Sequence, residues 1–341
     1  MTPKRVILFA LKVAISAALL WLVLSRVDPA NIVARIKSAD ARWLVPSFAM
    51  APIAVFLSAR RWQMLSLGLL GYWECVRYTW IGQFFGSVLP GLVGGDLAKG
   101  VALAAKTPRT RVLKLPVSIA FDKLIGLWTL LLLFDVVGVG LLFSMPSLFV
   151  GLRGAILVTS VCVAAGLIAA VIVSKAEYAR TLGALSLRLP HALLRRFASR
   201  AFILIESYGN QRAILAKAAA LSLVLHAANA AVYLMVLRSL AVPASFLFAA
   251  VFYSLLSVIL TLPVSISGIG LRDVFSATVF TAFGYRADAG VAFSWLLLVI
   301  VLPSVAAGGF IQLWELGHQG VAGNSVVEHD PFRRSGSDAA G

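Results

Sequence analysis

Two stretches interrupt an otherwise apolar chain with proline, small residues and charge: SVLPGLVGGDLAKG at 87–100 and LPVSISGIGLRDVF at 262–275. A helix that breaks at Pro90 and restarts after Gly94 and Gly95 points unpaired N–H groups and a positive dipole end at the break. The same holds for a helix that breaks at Pro263, passes Ser265 and Ser267, and restarts after Gly268 and Gly270. Such an end is suited to an anion. Lys99 and Arg272 fall within about the first turn of the two restarts. Arg272 has the planar fork that grips a phosphate through two hydrogen bonds, and Lys99 adds a point charge. Asp96 and Asp273 suit three roles: N-cap, partner of the neighbouring base, or proton carrier.

The surrounding elements must hold these breaks. Of 341 residues, 60% are hydrophobic and 13% charged, with a mean hydropathy of +0.94. A soluble domain cannot hide that much apolar surface, and the apolar runs are too long and continuous for barrel strands. The expected class is an all-α polytopic membrane protein. Seven full spans are expected: 6–24, 43–59, 117–143, 155–173, 218–237, 246–262 and 289–314. The basic start MTPKRVILFALK reads as an uncleaved first span with a cytoplasmic N-terminus.

Net charge is +16, and 13 of the 30 basic residues fall in 99–114 and 175–217. Those segments look like cytoplasmic loops. No aromatic-interleaved basic fold accompanies the charge, so anionic lipid headgroups, not nucleic acid, are the expected partners. Residues 61 and 99 must then lie on one side, and the segment between them must cross an even number of times. A re-entrant hairpin turning at 90–95 satisfies this. A second broken segment follows the span ending at 262, which suggests an internal two-fold repeat with halves 1–143 and 218–316. The expected layout is one membrane domain over 1–316, with a cytoplasmic amphipathic segment at 174–217. There Leu193, Phe197, Ala201, Leu204 and Tyr208 recur at helical spacing. A polar, disordered tail is expected over 317–341. On this topology the loop 26–42 lies outside although it carries Arg26, Arg35, Lys37 and Arg42.

Other polar residues compete for roles. Asp122 and Lys123 stand near the cytoplasmic start of a span, where they either serve the site or are solvated. Asp135 lies deeper, with no evident partner. His226, with Asn229 three residues on, reads as inter-helix hydrogen bonding more than catalysis. Cys75 and Cys162 match no spacing motif. No metal-ligand spacing and no Walker A sequence is present, so no metal and no cofactor is expected. No catalytic constellation stands out.

Four segments, RRWQMLSLGL (60–69), IGQFFGSVLPGLVGGDLAKG (81–100), SIAFDKLIGL (118–127) and LPVSISGIGLRDVF (262–275), resemble the signature segments of the lysylphosphatidylglycerol synthase transmembrane-region family. The resemblance runs from about Val6 to Trp314. It implies a flippase-like membrane domain in a bacterial inner membrane, working beside lipid-biosynthesis enzymes. No second, soluble synthase domain is expected in 341 residues. The family pattern places Arg61 at the end of the second span and Pro90, Gly94, Gly95 and Asp96 in the first break. It places Pro263, Ser267, Gly268, Gly270, Arg272 and Asp273 in the second. Asp273 and Lys123 stand where relatives more often carry glutamate and arginine, which keeps the charge and changes the reach. The implied function is transport of an anionic or headgroup-modified lipid, aminoacylated or polyprenyl-phosphate-linked. A membrane-embedded headgroup transferase and a non-catalytic scaffold of a lipid-modifying complex are the alternatives.

Overall fold

The computed structural model describes residues 3–88, 94–104, 114–144, 153–173, 208, 211–261, 264–265 and 268–327. Every regular element among them is a helix: α1 (Pro3–Leu24), α2 (Pro29–Lys37), α3 (Ala41–Leu65), α4 (Tyr72–Val88), α5 (Gly94–Ala104), α6 (Lys114–Ser144), α7 (Arg153–Val173), α8 (Arg212–Ser239), α9 (Phe246–Leu260), α10 (Leu271–Ala282) and α11 (Ala287–Val327). Each of the seven expected spans is one of these helices. Five, namely α3, α6, α7, α8 and α11, are long and apolar enough to cross a membrane alone. The other two differ from expectation. α1 qualifies only together with α2, bent from it by 83°, and α9 is a shorter apolar helix. The protein is therefore a multi-pass helical membrane protein.

Local chemistry sets the helix starts. Asp28 caps α2, accepting from the Ala30 N–H at 2.9 Å, with Pro29 at the first helical position. Asp40 caps α3 through the Arg42 N–H at 2.8 Å. Its own N–H donates to the Ser239 carbonyl at 2.8 Å, which ties the start of α3 to the end of α8. At the other end of α3, Arg61 reaches Ser222 near the start of α8. The two helices are therefore antiparallel neighbours.

α4 likewise runs against α11. Arg77 pairs with Glu315 at 3.3 Å, and Trp80 donates to Ser304 at 2.9 Å. α10 packs on α11, α5 on α4 and α9 on α6. Exchanging α3, α4, α5 and α6 for α8, α9, α10 and α11 maps the pair α3–α8 onto itself and every other packed pair among these eight helices onto another packed pair.

The largest core lies between α8, α9, α10 and α11. There Phe252, Phe280 and Phe293 are fully buried, with ring centroids 5.0–6.0 Å apart. α7, in contrast, leaves Leu157, Val158 and Val161 exposed, a face that suits lipid tails. α11 continues to Val327, into the stretch expected as a polar tail from 317. Residues 328–341 lie outside the described residues. So does most of 174–217, except Tyr208 and 211–217. Tyr208 is buried, stacks on Phe121 with centroids 4.1 Å apart, and donates to the Leu65 carbonyl.

Candidate headgroup cavity between the two breaks

α4 and α5 form the expected hairpin. They lie so close that a Cβ on Gly95 would stand 2.2 Å from the Gly82 carbonyl oxygen. Only glycine permits that approach. Pro90 and the turn itself lie outside the described residues; the chain is helical again from Gly94. Gly82 has a second consequence. A Cβ there would come within 2.3 Å of Lys99 Cε, so the missing side chain is the slot through which the Lys99 stem passes. The ammonium reaches the face of Trp62, 5.2 Å from the ring centroid, a cation–π contact. Asp96, in the first turn of α5, lies 3.6 Å from Lys99 and 3.1 Å from Lys123 of α6.

The second break is built differently. Gly268 and Gly270 have φ of +75° and +78°, the left-handed region that favours glycine. Gly270 also abuts α1: a Cβ would stand 2.7 Å from the Ser16 carbonyl oxygen and 2.8 Å from Leu19 Cβ. α1 thus covers the irregular backbone, as intramembrane breaks require. Pro263 and Ser267 lie outside the described residues, and Ser265 is half-buried.

Asp273 accepts the Gly270 N–H at 3.0 Å, the return half of a capping box, since the N-cap glycine has no side chain to supply the other half. The expectation of an open anion site at this helix start needs revising, because a carboxylate of the chain already takes one of its donors. Arg272 is left to act through its side chain. Its Nε donates to Ser294 Oγ at 2.7 Å, and Ser294 donates to Asp273. The serine thus stands between base and acid, and Ser294 is the only hydrogen-bond partner of the Arg272 side chain among the described residues. Asp273 is fully buried behind this arrangement.

Both breaks open on one cavity of about 680 Å³. That lies inside the roughly 300–1,000 Å³ usual for small-molecule sites. Gly95, Asp96 and Lys99 reach it from α5, Lys123 from α6 and Arg272 from α10. Among the described residues the charged lining groups are therefore three cations and one carboxylate, and the carboxylate already faces two of the cations. The remaining wall comes from α3, α4, α8, α9 and α11.

The family model for the lysylphosphatidylglycerol synthase transmembrane region matches residues 9–309. The chain belongs to this family. No curated protein and no solved structure matches it. Membership in this family makes the chain a membrane protein related to lipid handling.

Two of the expected site residues take part in a buried network apart from the cavity wall. Arg61 forms a two-pronged pair with Asp122, Nε to Oδ1 at 2.7 Å and Nη2 to Oδ2 at 3.1 Å. A third bond, at 3.1 Å, goes to Ser222. This joins α3, α6 and α8 at one end of the bundle. His226 continues the network: it meets Tyr253 at 2.8 Å on one ring nitrogen and Gly126 and Thr129 at 3.0 and 3.1 Å on the other. It is an inter-helix link, and Asp135 likewise has a partner, Thr159.

Sequence reasoning missed Ser58, Thr79, Gln83 and Ser304 on the wall, and named Asn229, which also lines it, only for inter-helix hydrogen bonding. Their signal was their type. Each is a hydrogen-bonding residue in an apolar helix, and such residues tend to face the bundle interior.

Proposed function

We propose that this chain is a lipid flippase that carries an anionic or headgroup-modified lipid, aminoacylated or polyprenyl-phosphate-linked, across the inner membrane. The observation that carries this reading is the convergence of both glycine breaks on one cavity that presents, among the described residues, three cations and one carboxylate. Broken helices from two parts of a chain, meeting at one site, are the usual construction of transporter binding sites. Arg272 receives the phosphate, and Lys99 and Lys123 trade Asp96 for it as the headgroup enters. Gly94, Gly95, Gly268 and Gly270 shape the breaks; Asp273 holds Arg272 in place through Ser294.

The antiparallel pairing of α3 with α8, and the exchange of packed pairs across the two sets of four helices, fit two halves of opposite orientation. Rocking of one half against the other would expose the cavity to each leaflet in turn. The basic N-terminus and loops support a cytoplasmic N-terminus.

The test is transbilayer movement of a headgroup-labelled lipid in proteoliposomes, followed by chemical quenching of label in the outer leaflet. Wild-type protein should move phosphate-bearing lipid from the shielded to the quenched pool. Arg272→Ala should abolish this while the protein stays folded. Full transport by that variant sinks the phosphate role of Arg272. A covalently altered lipid product would show instead that the protein is a transferase.

A further inference from the structure

We infer that the end of the bundle capped by α2 is a second lipid-binding surface, which holds the anionic headgroups of the leaflet away from the cytoplasm. The inference rests on the cytoplasmic N-terminus of the proposed topology and is independent of flippase activity.

The first ground is depth. α1 and α2 meet at 83°. With α1 crossing the membrane, α2 lies along its surface. Two exposed tryptophans mark that surface. Trp21, 70% exposed, stands in the last turn of α1, and Trp43, 42% exposed, in the first turn of α3. Indole rings at helix ends settle at the level of the headgroups. Arg26 follows the first of them and Arg42 adjoins the second. α2 turns Ile32 and Ile36 onto the bundle core and leaves Lys37 exposed. Its apolar side is therefore covered by protein, and its charge stays outside.

The second ground is charge. Segments 25–43, 238–245 and 283–288 meet at this end, joined by the Asp40 N–H to the Ser239 carbonyl and by Arg35 to Asp288. They carry Arg26, Arg35, Lys37, Arg42, Arg238 and Arg286 against Asp28, Asp40 and Asp288, six cations to three carboxylates. All three carboxylates are engaged. Asp28 and Asp40 cap α2 and α3. Asp288 is buried, 3.1 Å from Arg35 and 3.0 Å from Arg286. Arg26, Lys37 and Arg42 are exposed and make no ion pair among the described residues. Membrane proteins concentrate such charge on the cytoplasmic side. Cations kept at the opposite surface, at headgroup depth and without carboxylates of their own, match an anionic bilayer, which attracts each lysine or arginine beside it.

α10 joins this surface to the cavity. It holds Arg272 in its first turn, runs for 12 residues and ends four residues before Arg286. Lipid gathered at the surface thus lies one helix length, about 18 Å, from the cavity.

The test uses the purified full chain in phosphatidylcholine vesicles with a trace of lipid carrying a diazirine at its headgroup. The photoreactive lipid is phosphatidylglycerol in one set and phosphatidylcholine in the other. Mass spectrometry of the peptides locates the label. The phosphatidylglycerol probe should label 26–42 and 283–288 roughly fivefold more than the phosphatidylcholine probe. The triple variant Arg26→Gln, Lys37→Gln, Arg42→Gln should bring this ratio below about two, while Arg272→Ala leaves it at the wild-type value. Should the triple variant fail to fold, wild-type protein in about 0.5 M salt, where the Debye length is about 4 Å, should show the same fall.

Equal labelling by the two probes overturns the inference and leaves these cations to a protein partner. So does a ratio unmoved by both the triple variant and salt. Selective labelling that Arg272→Ala abolishes would place the lipid in the cavity instead, and also overturns it. Absent transport in the proteoliposome assay, with selective labelling kept, sinks the flippase reading and leaves this surface standing.

Discussion

Asp96 of α5 and Lys123 of α6 form an ion pair of 3.1 Å across the segment 105–113 that joins their helices, and Lys99 approaches the same carboxylate from within α5 at 3.6 Å. The carboxylate thus stands where an anionic ligand would stand. On the proposed function it is an internal substitute that such a ligand must displace. Lys123 is 57% exposed, so water already weakens its half of the arrangement.

Removing the substitute should favour the ligand. Asp96→Asn is expected to raise retention of phosphatidic acid by roughly threefold to tenfold, in line with about 1 kcal/mol for a partly exposed pair. Native mass spectrometry reads the change. Weaker retention in the variant would mean that Asp96 holds the ligand and does not compete with it.

The Arg61–Asp122 pair should behave as architecture. Arg61 is 6% exposed and makes three hydrogen bonds, so Asp122→Ala strands a buried guanidinium. A loss of about 3–5 kcal/mol is expected. The double variant Arg61→Met with Asp122→Leu should recover part of it, because two apolar groups leave no buried charge unpaired. Thermal melting in detergent measures both. Losses that simply add would show the pair to be uncoupled.

Gly82 and Gly95 should separate positioning from folding. Alanine at Gly95 meets a backbone carbonyl at 2.2 Å and must pry the α4–α5 hairpin open, at a cost of about 1–3 kcal/mol or more. Alanine at Gly82 meets the flexible Lys99 stem, which moves aside more cheaply. Gly82→Ala is therefore expected to melt near the wild type yet transport poorly. Equal melting losses in the two variants would refute the distinction.

Ser294 should matter to Arg272 more than to the fold. Ser294→Ala removes the hydroxyl that accepts from Arg272 and donates to Asp273. A stability loss of about 1–3 kcal/mol is expected from the unpaired buried groups. Lipid movement should fall by about tenfold, and Ser294→Thr should restore it in part. Unchanged transport in Ser294→Ala would free Arg272 of this support.

What the sequence made legible was what one helix decides alone. Apolar length located the spans, and Pro90 and Pro263 with their glycines marked both breaks. What it hid was what several helices decide together. The first turn of a helix near Arg272 looked open to an anion because dipole reasoning is local; Asp273 folding back onto the Gly270 N–H closes it. Arg61 entered the expected site through the family resemblance, and Asp122 through its place near the start of a span. Their engagement depends on the approach of α3, α6 and α8. The neutral wall was hidden for a plainer reason: one serine or glutamine in each of several helices makes no pattern until those helices meet. The relation of α3 to α8 was likewise unreadable until Asp40 met Ser239 and Arg61 met Ser222.

The bent pair α1–α2 packs on the end of the chain, α1 on α10 and α2 on α11, where Arg35 meets Asp288 at 3.1 Å and Asp288 also binds Arg286. A ribosome makes the first two helices long before their partners. Through most of synthesis, then, α1 and α2 wait in the membrane without the surfaces they pack on, and Arg35 waits without its carboxylate. Closure of the second break by α1 is consequently among the last events of assembly. A nascent chain stopped before α10 would leave both first helices undocked, and one stopped before α11 would let α1 cover the glycine turn but leave α2 without its surface and Arg35 without Asp288.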